Sequence, residues 1–150
     1  MNPTDAGDAI VAEITINASA ERVFEALVDP QQRIQWWGAK GRFETTHMES
    51  DLRVGGAWEM RGKGMQGRPF TLRGEYLHIE RPRLLEFTFA DWEAQNSVVR
   101  FELEEKGGVT NVRLVHSGFG KQGAREKYQG WPWLLALLKA HAESASRAES

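Results

Sequence analysis

Histidine is the residue type in this chain best suited to metal binding or acid–base catalysis. The four histidines are His47, His78, His116 and His141. No two of them lie three or four positions apart, and none belongs to an H-E-x-x-H pattern, so no single helix turn can bring two onto one metal. The chain has no cysteine, which excludes disulfides, thiolate ligands and a cysteine nucleophile. We therefore predict no metal site and no cofactor, and we assign no catalytic residue.

One glycine-rich segment has the letters of a nucleotide-binding motif. Residues 62–67 read GKGMQG and match the letters of a dinucleotide fingerprint, which requires a strand before it and a helix after it. Arg68, Pro69 and a β-patterned run follow instead, so the sequence predicts a glycine-rich hairpin turn. No G-x-S-x-G motif of a serine hydrolase occurs.

His116 differs from the other histidines in its strand pattern. Within VTNVRLVHSG, residues 109–118, the alternation puts His116 on the same face as Val112 and Leu114. Two interpretations remain open. His116 is either a core histidine with a protein partner or a polar anchor inside an apolar pocket, since such pockets carry few polar groups.

Two short helices are predicted after the first strand. Ser19 is a suitable N-cap for residues 20–28, and Pro30 disfavours helix at Asp29. Asp29 then reads as the N-cap of a second helix, with Pro30 at its first position and Gln32 as a reciprocal capping partner.

Adjacent tryptophans end that second helix. Trp37 shares a helical face with Ile34 and precedes Gly38, a suitable left-handed terminator, so we predict that Trp37 is core. Trp36 points about 100° away. We therefore predict that Trp36 lies at an edge, bordering either a pocket entrance or a neighbouring strand turn.

The remaining pattern is six β-strands and a last helix over about residues 122–143. The apolar stripe of that helix has helical spacing and consists of Tyr128, Trp131, Leu134, Leu135, Leu138 and Ala142. Pro132 within it predicts a kink near Trp131. We predict an α+β helix-grip fold: a seven-stranded curved antiparallel sheet around a long C-terminal helix, with two short helices after the first strand.

Composition limits the classes of partner. The 150 residues carry a formal net charge of −2 without basic clusters, so we expect neither nucleic acid nor an anionic membrane as partner. No apolar run approaches a membrane span, and the start lacks signal-peptide features. We expect one cytoplasmic domain over 1–150, with loose termini at 1–9 and 144–150.

Several strings together resemble a known family. The strings RIQWWG, GGAWEM, GEYLHIERPRLLEFTFA, LVHSGF and GWPWLLALLKA resemble the family of activators of the heat-shock-protein-90 ATPase. That family belongs to the START-like superfamily, with polyketide cyclases and birch-pollen-allergen-like proteins. The likeness runs over about residues 10–142. It implies a helix-grip fold with an internal apolar cavity, but it implies no single activity.

The function we predict is binding of an apolar or aromatic small molecule between the sheet and the last helix. The predicted lining is Trp36, Trp58, Phe87, Phe101, His116, Tyr128 and Trp131. One alternative is a cyclase-type or hydrolase-type enzyme with His116 as general acid or base. Another is a co-chaperone that binds a folded ATPase through its surface. The ligand and the oligomeric state, including a homodimer, stay open.

Overall fold

A computed structural model describes residues 10–39, 43–64, 67–90, 97–118 and 131–149. Within these residues the secondary structure follows the predicted order. The elements are β1 (Ile10–Ile16), α1 (Ala20–Val28), α2 (Pro30–Trp36), β2 (Gly38–Ala39), β3 (Phe43–Ser50), β4 (Ala57–Lys63), β5 (Pro69–Glu80), β6 (Leu84–Phe89), β7 (Ser97–Lys106), β8 (Val109–Ser117) and α3 (Trp131–Glu149).

The corner between α1 and α2 is set by the predicted caps. The side chains of Ser19 and Asp29 each accept a backbone N–H from the first turn of their helix, and Pro30 begins α2. Gly38 follows the second helix with a φ of 121°. The reciprocal bond predicted for Gln32 is wrong, since the Asp29 N–H donates to the Glu25 carbonyl and the Gln32 amide donates to the Asp29 carboxylate.

The described strands form one antiparallel sheet in the order β1-β8-β7-β6-β5-β4-β3-β2. Each of the seven predicted strands is present, and from β2 to β8 each strand pairs with the next one along the chain. Strands β4 and β5 form the predicted hairpin, in which Lys63 pairs with Pro69. The two-residue β2 extends one edge, while β1 pairs with β8 at the other.

The predicted alternation puts one set of side chains on the buried face of this sheet. Strands β7 and β8 alternate buried and partly exposed positions along most of their length. The buried members are Trp58, Met60, Leu85, Phe87, Phe89, Val99, Phe101, Leu103, Val112, Leu114 and His116.

Helix α3 covers this face through the predicted stripe, with Trp131, Leu135 and Leu138 fully or almost fully buried. The described helix begins at Trp131. Pro132 would kink the helix by crowding the Tyr128 carbonyl, and Tyr128 lies outside the described residues, so the kink near Trp131 stays a prediction. The helix also continues to Glu149, past its predicted end and into the segment expected to be loose.

Some predictions fall outside the described residues. These are the loose N-terminal segment 1–9, the predicted first turns of the last helix before Trp131, and the proposed lining residue Tyr128. In the part of the chain that the structure describes, no helix is long and apolar enough to span a membrane.

Candidate functional site

The interior between the sheet and α3 contains a connected series of aromatic rings. Trp58 contacts Phe87 with ring centres 5.4 Å apart, and Phe87 contacts Phe101 at 6.3 Å. Trp131, the first residue of α3, contacts Phe101 at 6.1 Å and His116 at 5.8 Å. The structure therefore brings together five of the seven predicted lining residues.

The predicted edge position of Trp36 is wrong. Trp36 is 2% exposed, and its indole Nε1 donates a hydrogen bond of 2.8 Å to the carbonyl of Ala26. That carbonyl lies in the last turn of α1, where carbonyl groups lack intrahelical donors. Trp36 thus caps the preceding helix. It also contacts Trp37, which was correctly predicted as core, at 5.4 Å.

His116 contacts the rings of Phe89 and Trp131 and is fully buried. The Trp131 indole N–H donates to its Nδ1 at 3.0 Å. Because an indole nitrogen only donates, Nδ1 is unprotonated, and the hydrogen-bond pattern assigns the ring proton to Nε2. Nε2 lies 2.8 Å from Ser97 Oγ, which donates in turn to the Phe89 carbonyl at 2.8 Å.

This arrangement favours one of the two interpretations of His116. Both ring nitrogens have protein partners, as expected for a core histidine, and the hydrogen bonds fix a neutral tautomer. The sequence reasoning did not identify Ser97. Its position in β7, in phase with Val99 and Phe101, was the available signal.

Arg33 is a second buried polar residue of this interior, and the sequence did not predict it. It is 2% exposed, and its Nη1 donates to the Leu27 carbonyl at 2.7 Å, a second cap on α1. Neither Nε nor Nη2 has a hydrogen-bond partner among the described residues. The Trp58 Nε1 is likewise buried without a partner. Most buried polar atoms in proteins are satisfied, so three such atoms in one region require an explanation.

Aromatic rings surround the Arg33 guanidinium. Its Cζ is 4.5 Å from the ring centre of Trp37, and rings of Trp36, Phe87 and Trp58 lie at 5.8, 5.7 and 5.9 Å. The ring quadrupoles attract a cation at these distances. They offer no acceptor along the Nε and Nη2 edge.

Burial changes the pKa of Arg33 without removing its charge. Desolvation lowers the pKa from 12.5 to about 10, and the electrostatic influence of Tyr76 acts in the opposite direction. A value of about 10 remains above neutral pH. Arg33 is therefore a buried cation at physiological pH. The Tyr76 hydroxyl itself is 2.6 Å from Ser50 Oγ.

The sequence signal for Arg33 was its spacing. Arg33, Trp36 and Trp37 lie at i, i+3 and i+4, a spacing that indicates one shared helical face. The pairing of Trp37 with Ile34 alone leaves Arg33 out of that face. A charged residue is almost never fully buried without a partner, so composition argued against placing Arg33 inside.

Two open grooves lie elsewhere on the surface. One is bordered by charged residues, including Arg100, Glu102 and Arg113, and the other by Arg73 and its neighbours on β4 and β5. Neither groove is lined by His116 or Arg33. No three histidine or acidic residues in the described ranges come close enough together to hold a metal ion.

Comparison with known proteins agrees with this architecture. Solved structures that resemble the chain include a protein from Chromobacterium violaceum, with 25% identity, a TM-score of 0.82, and coverage of 91% of this chain and 98% of that one. An AHSA1-like protein from Aeromonas hydrophila shows 24% identity, a TM-score of 0.78, and coverage of 92% and 94%. CalU16 from Micromonospora echinospora shows 26% identity, a TM-score of 0.66, and coverage of 93% and 79%.

A search of curated protein sequences finds no match. Residues 17–143 match the family described as "Activator of Hsp90 ATPase homolog 1-like protein". This span contains the corner between α1 and α2, the β3–β8 strands, and the buried stripe of α3. The chain therefore belongs to the family of Activator of Hsp90 ATPase homolog 1-like proteins.

Proposed function

We propose that this protein binds an apolar or aromatic small molecule between the sheet and α3. The observation that carries the proposal is the connected aromatic interior, which runs from Trp58 through Phe87 and Phe101 to Trp131. Ligand pockets are lined mainly by aromatic and apolar side chains with a few polar groups. Tyr128 stays a proposed lining residue from the sequence. In this proposal the ligand contacts these rings in the space between the sheet and α3, and stacking and apolar contact hold it.

Two alternatives receive less support. A cyclase-type or hydrolase-type enzyme needs His116 to exchange a proton, but both of its ring nitrogens already have protein partners. A co-chaperone needs an exposed apolar surface. Among the described residues, the large exposed apolar side chains are Leu52, Val54 and Leu77.

A neutral, environment-sensitive dye tests the proposal. Nile red should bind saturably at one site per chain, and naphthalene should displace it. Phe101→Leu, which shortens a wall residue without adding a polar atom, should weaken dye binding. The control is Val54→Ser. Val54 is 64% exposed, so this substitution removes apolar surface from the outside of the protein and leaves the interior unchanged. Unsaturable dye uptake, or a loss of binding caused by Val54→Ser alone, would show that the dye adsorbs to the surface and would contradict the proposal.

A further inference from the structure

The free edge of Arg33 has a specific chemical shape. A guanidinium has five N–H donors in a rigid plane, and the Leu27 carbonyl occupies the Nη1 side. The two atoms without partners, Nε and Nη2, lie next to each other along one edge of the planar group. Their N–H bonds run parallel, which is the geometry that receives the two oxygens of a carboxylate.

The fold does not use the hydrogen-bonding capacity of Nε and Nη2. Capping α1 needs a single donor, and Trp36 supplies another to the adjacent carbonyl of Ala26. No described carboxylate forms an ion pair with Arg33, so its charge is buried against aromatic faces only. Burial of an ion without a counter-ion is costly. Binding of an anion at this edge would supply the missing counter-ion.

We propose that Arg33 binds the carboxylate of the small molecule through Nε and Nη2, so that the natural ligand is an aromatic or apolar carboxylic acid. This inference rests on the proposed function, because the rest of the ligand occupies the aromatic interior. The rings of Trp37 and Phe87 beside the guanidinium exclude water and strengthen the ion pair.

A matched pair of compounds tests the inference in the unmodified protein. The probes are 2-naphthoic acid, which is ionised at neutral pH, and 2-naphthamide, which has nearly the same shape without the charge. Each is titrated by displacement of Nile red. The acid should bind at least about tenfold more tightly, the equivalent of about 1.4 kcal/mol. In NMR spectra, the acid and not the amide should shift the Arg33 Nε–H signal.

Variants assign the preference to one residue. Arg33→Met keeps the apolar stem and should remove the preference for the acid while leaving the affinity for the amide nearly unchanged. Arg33→Lys keeps a charge but loses the parallel donors, so it should retain only part of the preference. The matched control is Arg53→Met, at an exposed arginine, which should change nothing.

The outcomes separate the two proposals. If neither compound binds, the proposed function fails and this inference fails with it. If both bind equally well to the unmodified protein, or if the preference for the acid survives Arg33→Met, the proposed function stands and the role of Arg33 is overturned. Because the affinity ratio and the NMR shift need no variant, a variant that fails to fold leaves the test intact.

Discussion

The surroundings of His116 and of Arg33 both bury a polar side chain among aromatic rings, but they satisfy it differently. The two ring nitrogens of His116 have Trp131 and Ser97 as hydrogen-bond partners. Arg33 donates from Nη1 to the Leu27 carbonyl, and its Nε and Nη2 have no partners in the described structure. A satisfied buried network stabilises one arrangement of the fold, whereas an unsatisfied charge lowers stability until it is paired. The comparison supports a structural role for His116 and is the basis of the binding role that we propose for Arg33.

The largest expected effect is on stability at His116. His116→Phe has a similar size but leaves the Trp131 indole N–H without an acceptor, and an unsatisfied buried donor costs about 1–3 kcal/mol. Urea unfolding should show a loss of that size, with Nile red affinity nearly unchanged. An unchanged melting temperature together with a large loss of dye affinity would instead make His116 a ligand contact and break the comparison.

Arg33→Met should have a smaller effect, and in the opposite direction. It loses the bond to the Leu27 carbonyl, worth about 1 kcal/mol, but it removes a buried charge without a counter-ion. We expect the free energy of unfolding of the free protein to stay constant or to rise by up to about 1 kcal/mol. A loss as large as that of His116→Phe would mean that Arg33 is needed for folding.

Trp36→Phe measures the loss of one cap on α1 without any change of charge, and so gives a reference value for the cap that Arg33→Met also removes. It removes one N–H from the Ala26 carbonyl while keeping an aromatic ring beside the guanidinium. A lost cap of this kind should cost about 1 kcal/mol in urea unfolding. Subtracting this value from the result for Arg33→Met gives the contribution of the buried charge. If Trp36→Phe costs nothing, the corner does not depend on these caps.

The smallest expected effect is a loss of stability at low pH, which we assign to His141. Burial, together with the nearby Arg22, lowers the pKa of His141 below 6.5. The unfolded chain therefore takes up a proton more readily, so stability is full above about pH 6.5 and falls as the pH drops through that value. The effect is small because the side chain is only partly buried. His141→Gln should flatten this part of the curve of stability against pH. If it does not, the acid sensitivity arises elsewhere, and His116 becomes the residue to test.

Local patterns in the sequence determined most of the fold. Alternation fixed which side chains of β6, β7 and β8 face inward, since successive strand residues point to opposite sides. Ser19, Asp29 and Pro30 set the ends of the two short helices through bonds within a few residues. The stripe of α3 predicted the burial of Trp131 in the same way. These features depend on neighbours in the chain, so one sequence is enough to predict them.

Tertiary structure alone decided which polar groups find partners. Trp36 caps a carbonyl ten positions earlier, Ser97 meets His116 across 19 positions, and Trp131 reaches the same imidazole across 15. No periodicity encodes such pairs, so the sequence could place His116 inside but could not choose between a core role and a site role. For the same reason the sequence did not predict the burial of Arg33. Its spacing put it on the buried face of α2, but only the packing of α2 against the sheet determined that its charge would be enclosed by rings and left without a counter-ion.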